Sequence, residues 1–220
     1  MKHKIALTAG ILLMFTVITA GCGQPTTTTT ETDFNNVNSA SIKSGNGLSL
    51  SVSTNSTTYR PGQEVSTTID IKNMRTETND IVAGNDWPYD NLEIDQCDMG
   101  PWGFAYPYGI AIFQGSYSPS NFAAVTPLAL YDYNLLVPCP SPIPAVSYDF
   151  QPMSDVATVS GSSTQFPTST FAINIKLTET GYWSGSAPNV TKRNFEPGVY
   201  TIVGGDEWGA LVVLHFTVTN

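Results

Sequence analysis

Val65-Ser66-Thr67-Thr68-Ile69-Asp70-Ile71-Lys72 is a run in which Val65, Thr67, Ile69 and Ile71 alternate with Ser66, Thr68, Asp70 and Lys72. A period of two places the first set on one face of a strand and the second on the other, so the run predicts a strand with one dry and one wet face. Upstream, Leu48, Leu50 and Val52 alternate with Ser49, Ser51 and Ser53 in the same way. Between the two runs lies Tyr59-Arg60-Pro61-Gly62, a turn whose Gly62 is free to take positive φ.

The C-terminal end repeats the pattern. Phe195-Glu196-Pro197-Gly198 reads as a turn, Val199–Val203 as a strand, and Gly204–Gly209 as a hairpin-forming loop. Ala210 to Thr219 then reads as a long strand. Val212, Leu214, Phe216 and Val218 make its better apolar face. The side with Leu211, Val213, His215 and Thr217 is more mixed and is expected to face out or to lie against a loop. In the middle, 109–113, 127–131, 146–150, 156–159 and 171–177 bring the expected total to about nine strands. No long stretch carries a helical stripe; Ser120–Ala124 has room for one turn. Fifteen prolines also argue against helices. The fold class is therefore all-β, a sandwich.

Tyr-x-Pro-Gly early and Pro-Gly-x-Tyr late resemble the immunoglobulin-like and fibronectin-like domains of bacterial cell surfaces, over about residues 48–73 and 195–220. The resemblance implies an immunoglobulin-like β-sandwich in which Tyr200, at the start of the penultimate strand, makes a tyrosine corner. Residues 74–170 are longer and richer in Pro, Gly and aromatics than the middle of a plain sandwich, and a jelly roll is the rival topology.

The N-terminus has a different character. Met1-Lys2-His3-Lys4 is a short basic segment, Ile5–Thr19 is uncharged and largely apolar, and the tract ends Thr19-Ala20-Gly21-Cys22. It is short for a spanning helix and has the small residues of a signal-peptide cut site. This end resembles the lipobox of bacterial lipoproteins, with Thr19 in place of the usual Leu. The resemblance implies lipid on Cys22, cleavage after Gly21, and a chain held on the extracytoplasmic face of the cell membrane. Residues 22–47 follow as a Ser/Thr-rich tether with Thr26–Thr30 in a row. A flexible chain of that length reaches about 25 Å. Residues 48–220 are then expected to form one domain, large enough to hold its own core.

The remaining cysteines, Cys97 and Cys139, lie in the exported part, where a disulfide is the simplest reading. It would staple a long insert broken by prolines and add about 4 kcal/mol. The same region carries Trp87, Tyr89, Trp102, Phe104, Tyr106 and Tyr108, and Trp208 sits in the last hairpin. Of these, Trp87, Tyr89, Trp102, Tyr106 and Trp208 are the candidate binding surface for an extracellular protein or carbohydrate. The bland alternative is that the rings pack inward, with Trp208 stapling its hairpin. Acids crowd Asp80–Asp98; their spacing is not that of an EF-hand, and a solvated loop accounts for them better than Ca²⁺. Asn55-Ser56-Thr57 and Asn189-Val190-Thr191 match the N-glycosylation pattern.

Nine cations against 18 acids, two of the cations inside the leader, leave no basic patch for nucleic acid. The exported part has one histidine, His215, and no nucleophile elbow, phosphate loop or metal-ligand spacing. No catalytic residue, cofactor or metal is expected. The sequence thus predicts a lipid-anchored extracytoplasmic protein with a non-catalytic binding or adhesion module. The alternative is a structural or accessory envelope lipoprotein.

Overall fold

Alternation in the sequence becomes alternation in burial. In the strand Leu48–Thr54 the residues Leu48, Leu50, Val52 and Thr54 are buried while Ser49, Ser51 and Ser53 are half-exposed. A computed structural model describes residues 37–84, 88–92, 107–131, 145–161, 168–186 and 188–220. They lie in one unit, Thr32–Asn220. The described residues form fourteen strands and two single 3-10 turns, Asp90–Leu92 and Phe122–Ala124. The class is all-β, as the alternation requires.

In chain order the strands are β1 (Ser39–Lys43), β2 (Leu48–Thr54), β3 (Thr58–Tyr59), β4 (Val65–Asn73), β5 (Asn79–Ala83), β6 (Tyr108–Gln114) and β7 (Val146–Phe150). They continue as β8 (Val156–Gly161), β9 (Ser169–Ala172), β10 (Asn174–Glu179), β11 (Gly181–Ser186), β12 (Asn189–Asn194), β13 (Gly198–Asp206) and β14 (Leu211–Val218).

One layer is a sheet that forks. Its first half has the order β1-β2-β4-β10, its second half β5-β7-β8-β9. The halves are joined twice by the chain, β4 leading into β5 through 74–78 and β9 into β10 through Ile173. β4 and β10 pair directly, whereas β5 and β9 stand apart with the β7–β8 hairpin between them. The hairpin's turn sits in the crotch: Asn73 N–H donates to Ser154 O at 2.8 Å and Ile173 N–H to Asp155 O at 2.8 Å. Asn73 is buried with no exposed surface. Its Nδ2 donates to Glu77 O at 2.9 Å and Gln151 O at 3.1 Å, and its Oδ1 accepts from Arg75 N–H at 2.9 Å. A buried amide that satisfies backbone groups on both sides of the split is what allows the split to be dry.

The second layer has the order β3-β14-β13-β6. Its inward face, Ile110, Ile112, Tyr200, Ile202, Val212, Leu214, Phe216 and Val218, packs with residues of both fork halves in one core. Each such side chain contributes about 1.5–3 kcal/mol by leaving water. Aromatics fill the lower end, with Tyr200 stacked on Phe216 at 5.0 Å and Phe195 and Tyr59 edge-on to Phe216. Gly204 lets the layers touch, since a Cβ there would lie 2.5 Å from Val52 Cγ2. Tyr200 Oη donates to Glu196 O at 2.9 Å, the hydrogen bond expected of that residue.

The outward face of the second layer is also covered. Ala111, Phe113, Val203, Leu211 and Val213 pack under Leu92 and Phe122 from the two 3-10 turns, with Tyr89, Tyr117 and Val125 around them. His215 Nε2 lies 3.0 Å from Tyr117 O, which can only accept, so the ring proton is on Nε2. Thr201 Oγ1 donates to Gly115 O and accepts from Tyr117 N–H. The mixed face of the last strand thus lies against a loop.

Two expectations change. The disulfide-stapled insert does not hold: no two Sγ atoms come within or near bonding distance. A bridge needs Cα atoms within about 7 Å and sulfurs about 2 Å apart. Cys97 and Cys139 therefore form no staple, and the described domain is held by its layers. Both cysteines lie outside the described residues. The strands also begin earlier than Leu48, because β1 pairs along β2 from Ser39 opposite Ser53 to Lys43 opposite Ser49. The strand orders are those of a general β-sandwich.

Candidate functional site

The two ends of the domain differ in what they carry. At one end the chain comes in, with Thr54 N–H donating to Asn38 O, and goes out, with Thr219 N–H donating to Tyr59 O. The turn at Arg60–Gln63 closes the same end, with Gly62 at φ +80° and Gln63 N–H on Arg60 O. At the opposite end lie Ala83, Val146 and Gly161, neighbours across β5, β7 and β8, from which the connections 84–107, 131–145 and 161–168 depart or return. The β13–β14 hairpin reaches over this far end.

That hairpin is built on Asp206. Gly205 and Asp206 complete β13 opposite Gly109 and Tyr108 of β6. The Asp206 side chain then folds over the turn as an Asx motif: Oδ1 accepts from Trp208 N–H at 3.0 Å and from Ala210 N–H at 2.8 Å. Asp206 N–H donates to Ala210 O, and Gly209 N–H to Asp206 O. The residue has no exposed surface, and its Oδ2 is buried without a hydrogen-bond partner. Burial pushes its carboxyl from the ordinary 3.8 up to about 6, with the Glu207 charge adding to the rise and the turn's N–H groups opposing it.

The hairpin holds both roots of the 84–107 connection. Trp208 Nε1 donates to Val82 O at 3.0 Å, and its ring meets Tyr148 and Phe150 edge-on at 6.3 and 6.5 Å. Glu207 N–H donates to Pro107 O at 3.0 Å. Leu92 closes on the same root from the outward face of the second layer, its carbonyl leaving no room for a Cβ on Gly109.

Of the candidate binding residues, Trp208 and Tyr89 are half-buried and structural in their contacts. Trp208 staples the hairpin to β5 and β7, and Tyr89 lies 5.5 Å from the Phe122 ring on the outer cluster. The structure does not bring the two together. Trp87, Trp102, Tyr106 and the lipidation residue Cys22 lie outside the described residues. Sequence reasoning read Gly204–Gly209 only as a hairpin-forming loop and gave Asp206 no part in it. The signal it passed over was Asp206 two residues before Trp208 and three before Gly209, the spacing of an Asx turn. Among the described residues no group of three or more His, Cys, Asp or Glu is placed to hold a metal. Of the two glycosylation sequons, Asn55 is engaged, its Oδ1 accepting from Tyr59 Oη and Ser66 N–H, while Asn189 is exposed at the start of β12. No protein-family model matches the chain, and no curated protein matches its sequence.

Proposed function

We propose that the protein is a membrane-anchored extracytoplasmic lipoprotein, lipidated on Cys22. Its immunoglobulin-like sandwich is a non-catalytic module that binds an extracellular protein or carbohydrate through its far end. The observation that carries this reading is the polarity of the domain. The chain comes in beside Thr54, while both ends of the connection 84–107 and the return of 131–145 at Val146, segments rich in aromatic and acidic residues, lie at the opposite end. Long connections on a rigid sheet are where binding groups concentrate. The lipobox-like Thr19-Ala20-Gly21-Cys22 supports the anchor.

Two measurements test it. Cells producing the full chain are fractionated alongside Cys22→Ala; the reading expects the variant to leave the membrane and to remain unprocessed after Gly21. The lipidated protein in vesicles is then passed over immobilised polysaccharides and extracellular matrix proteins. Retention on one of them that is lost in Trp87→Ala or Trp102→Ala, and kept in Arg60→Ala at the near end, supports the binding role. Retention on none, or loss in Arg60→Ala alone, overturns it.

A further inference from the structure

Asp206 has no part in that reading, yet it is the one carboxylate among the described residues that is fully buried, with Oδ1 accepting two hydrogen bonds and Oδ2 unpartnered. We propose that Asp206 is a proton-operated clasp: with the carboxyl neutral, the β13–β14 hairpin holds β5 and Pro107 firmly, and on ionisation its grip on both loosens.

The argument is geometric. Oδ1 satisfies the two N–H groups that close the turn, so the shape of the turn depends on this side chain. The turn in turn carries Trp208, bound to Val82 O, and Glu207 N–H, bound to Pro107 O. Anything that strains Asp206 is therefore passed to both roots of the 84–107 connection. Oδ2 is sealed from water without a donor. A neutral carboxyl tolerates that position far better than a charged one, whose unpaired burial is costly. The ionisable groups facing it are Glu207 in the same turn, whose charge opposes ionisation, and Tyr108 opposite on β6. No cation among the described residues acts on it. Its carboxyl therefore holds its proton to about pH 6 while the turn is closed. Once the turn opens to water it reverts to the ordinary carboxyl range.

The sign follows from linkage. The closed hairpin binds the proton more tightly than the open one, so closure is strongest below about pH 4 and weakens as pH rises through 6. Opening becomes more frequent by about a hundredfold across that window and then levels off.

The test is hydrogen exchange of the full chain from pH 4 to 8, corrected for intrinsic rates, read on peptides covering 79–84, 107–112 and 205–212. In the wild type, protection of all three falls together by about a hundredfold between pH 4 and 6.5 and is flat above. Asp206→Asn keeps the Oδ1 acceptor without the charge, and its profile is flat throughout. Glu207→Gln moves the midpoint to lower pH. The carbon resonance of the Asp206 carboxyl gives the midpoint in the wild type alone, should Asp206→Asn fold poorly. A flat wild-type profile, a midpoint near 4, or an Asp206→Asn profile that still slopes overturns the clasp.

Discussion

Replacing Asn73 by Ala removes a side chain that ties β4, the 74–78 jog and the β7–β8 turn together. Three good hydrogen bonds are lost, to Glu77 O at 2.9 Å, Gln151 O at 3.1 Å and from Arg75 N–H at 2.9 Å. Each is worth about 1 kcal/mol net, and stranding buried partners adds to that. Asn73 has no exposed surface, so water does not replace the lost groups without opening the crotch. The expected loss is about 3–4 kcal/mol, a large part of the stability of a domain this size. Asn73→Asp should cost at least as much, since a carboxylate oxygen would face two carbonyls where an amide donated. Asn174→Ala is the control: its Nδ2 meets Asp155 Oδ2 at 3.0 Å on the exposed side of the same crotch, and it should cost within about 0.5 kcal/mol. Equilibrium urea unfolding followed by tryptophan fluorescence reads all three. A loss below about 1 kcal/mol for Asn73→Ala would refute the idea that this amide holds the fork.

Further outcomes follow from the same contacts. Tyr200→Phe keeps the stack on Phe216 and loses only the bond to Glu196 O, so it should cost about 1 kcal/mol in urea unfolding. Gly204→Ala drives a methyl to 2.5 Å from Val52 Cγ2 and 3.2 Å from Ile69 Cδ1, and should cost about 1–3 kcal/mol. Asp206, raised from 3.8 to about 6, should make the wild type lose about 3 kcal/mol of stability as pH rises from 4 past 6, relative to Asp206→Asn at each pH. Urea midpoints at fixed pH steps measure the difference.

The parts of the fold legible from sequence were those where one face is dry. β2 and β4 announce themselves because Leu50 and Ile69 face a core while their neighbours do not; β13 and β14, covered on both faces, are legible as apolar runs set off by the turn at Pro197-Gly198 and the Gly204–Gly209 loop. β7 was expected at 146–150 and stands at Val146–Phe150 for the same reason. β1, β11 and β12 were passed over because they bury little: Asn189–Asn194 is exposed almost throughout, and backbone pairing alone leaves no mark in composition. The run 171–177 read as one strand, and it is nearly one; the break at Ile173 is where it changes partners from β8 to β4. That change is a property of the fork, set by long-range pairing that no local period encodes. Pro127–Tyr131 reads as a strand but makes only an isolated bridge from Ala129 to Trp183, beside a hydrogen bond from Leu128 N–H to Ile112 O. At the candidate site the hairpin around Trp208 was legible as a turn. The burial of Asp206 was not, because it depends on β6 and β5 closing around the hairpin. The cysteine pairing was argued from compartment and parity, neither of which brings two sulfurs together.

The central claim is that the far end presents aromatic side chains to a ligand while the sandwich below is held by its own core. Urea unfolding of Trp87→Ala, Trp102→Ala and Tyr106→Ala, beside Trp208→Ala, tests it without a ligand in hand. Trp208→Ala removes the bond to Val82 O and the contacts with Tyr148 and Phe150, and should cost about 3 kcal/mol or more. The other three should each stay within about 0.5 kcal/mol of the wild type. If all four midpoints fall together, these rings are core, and the account of the far end as a binding surface is contradicted.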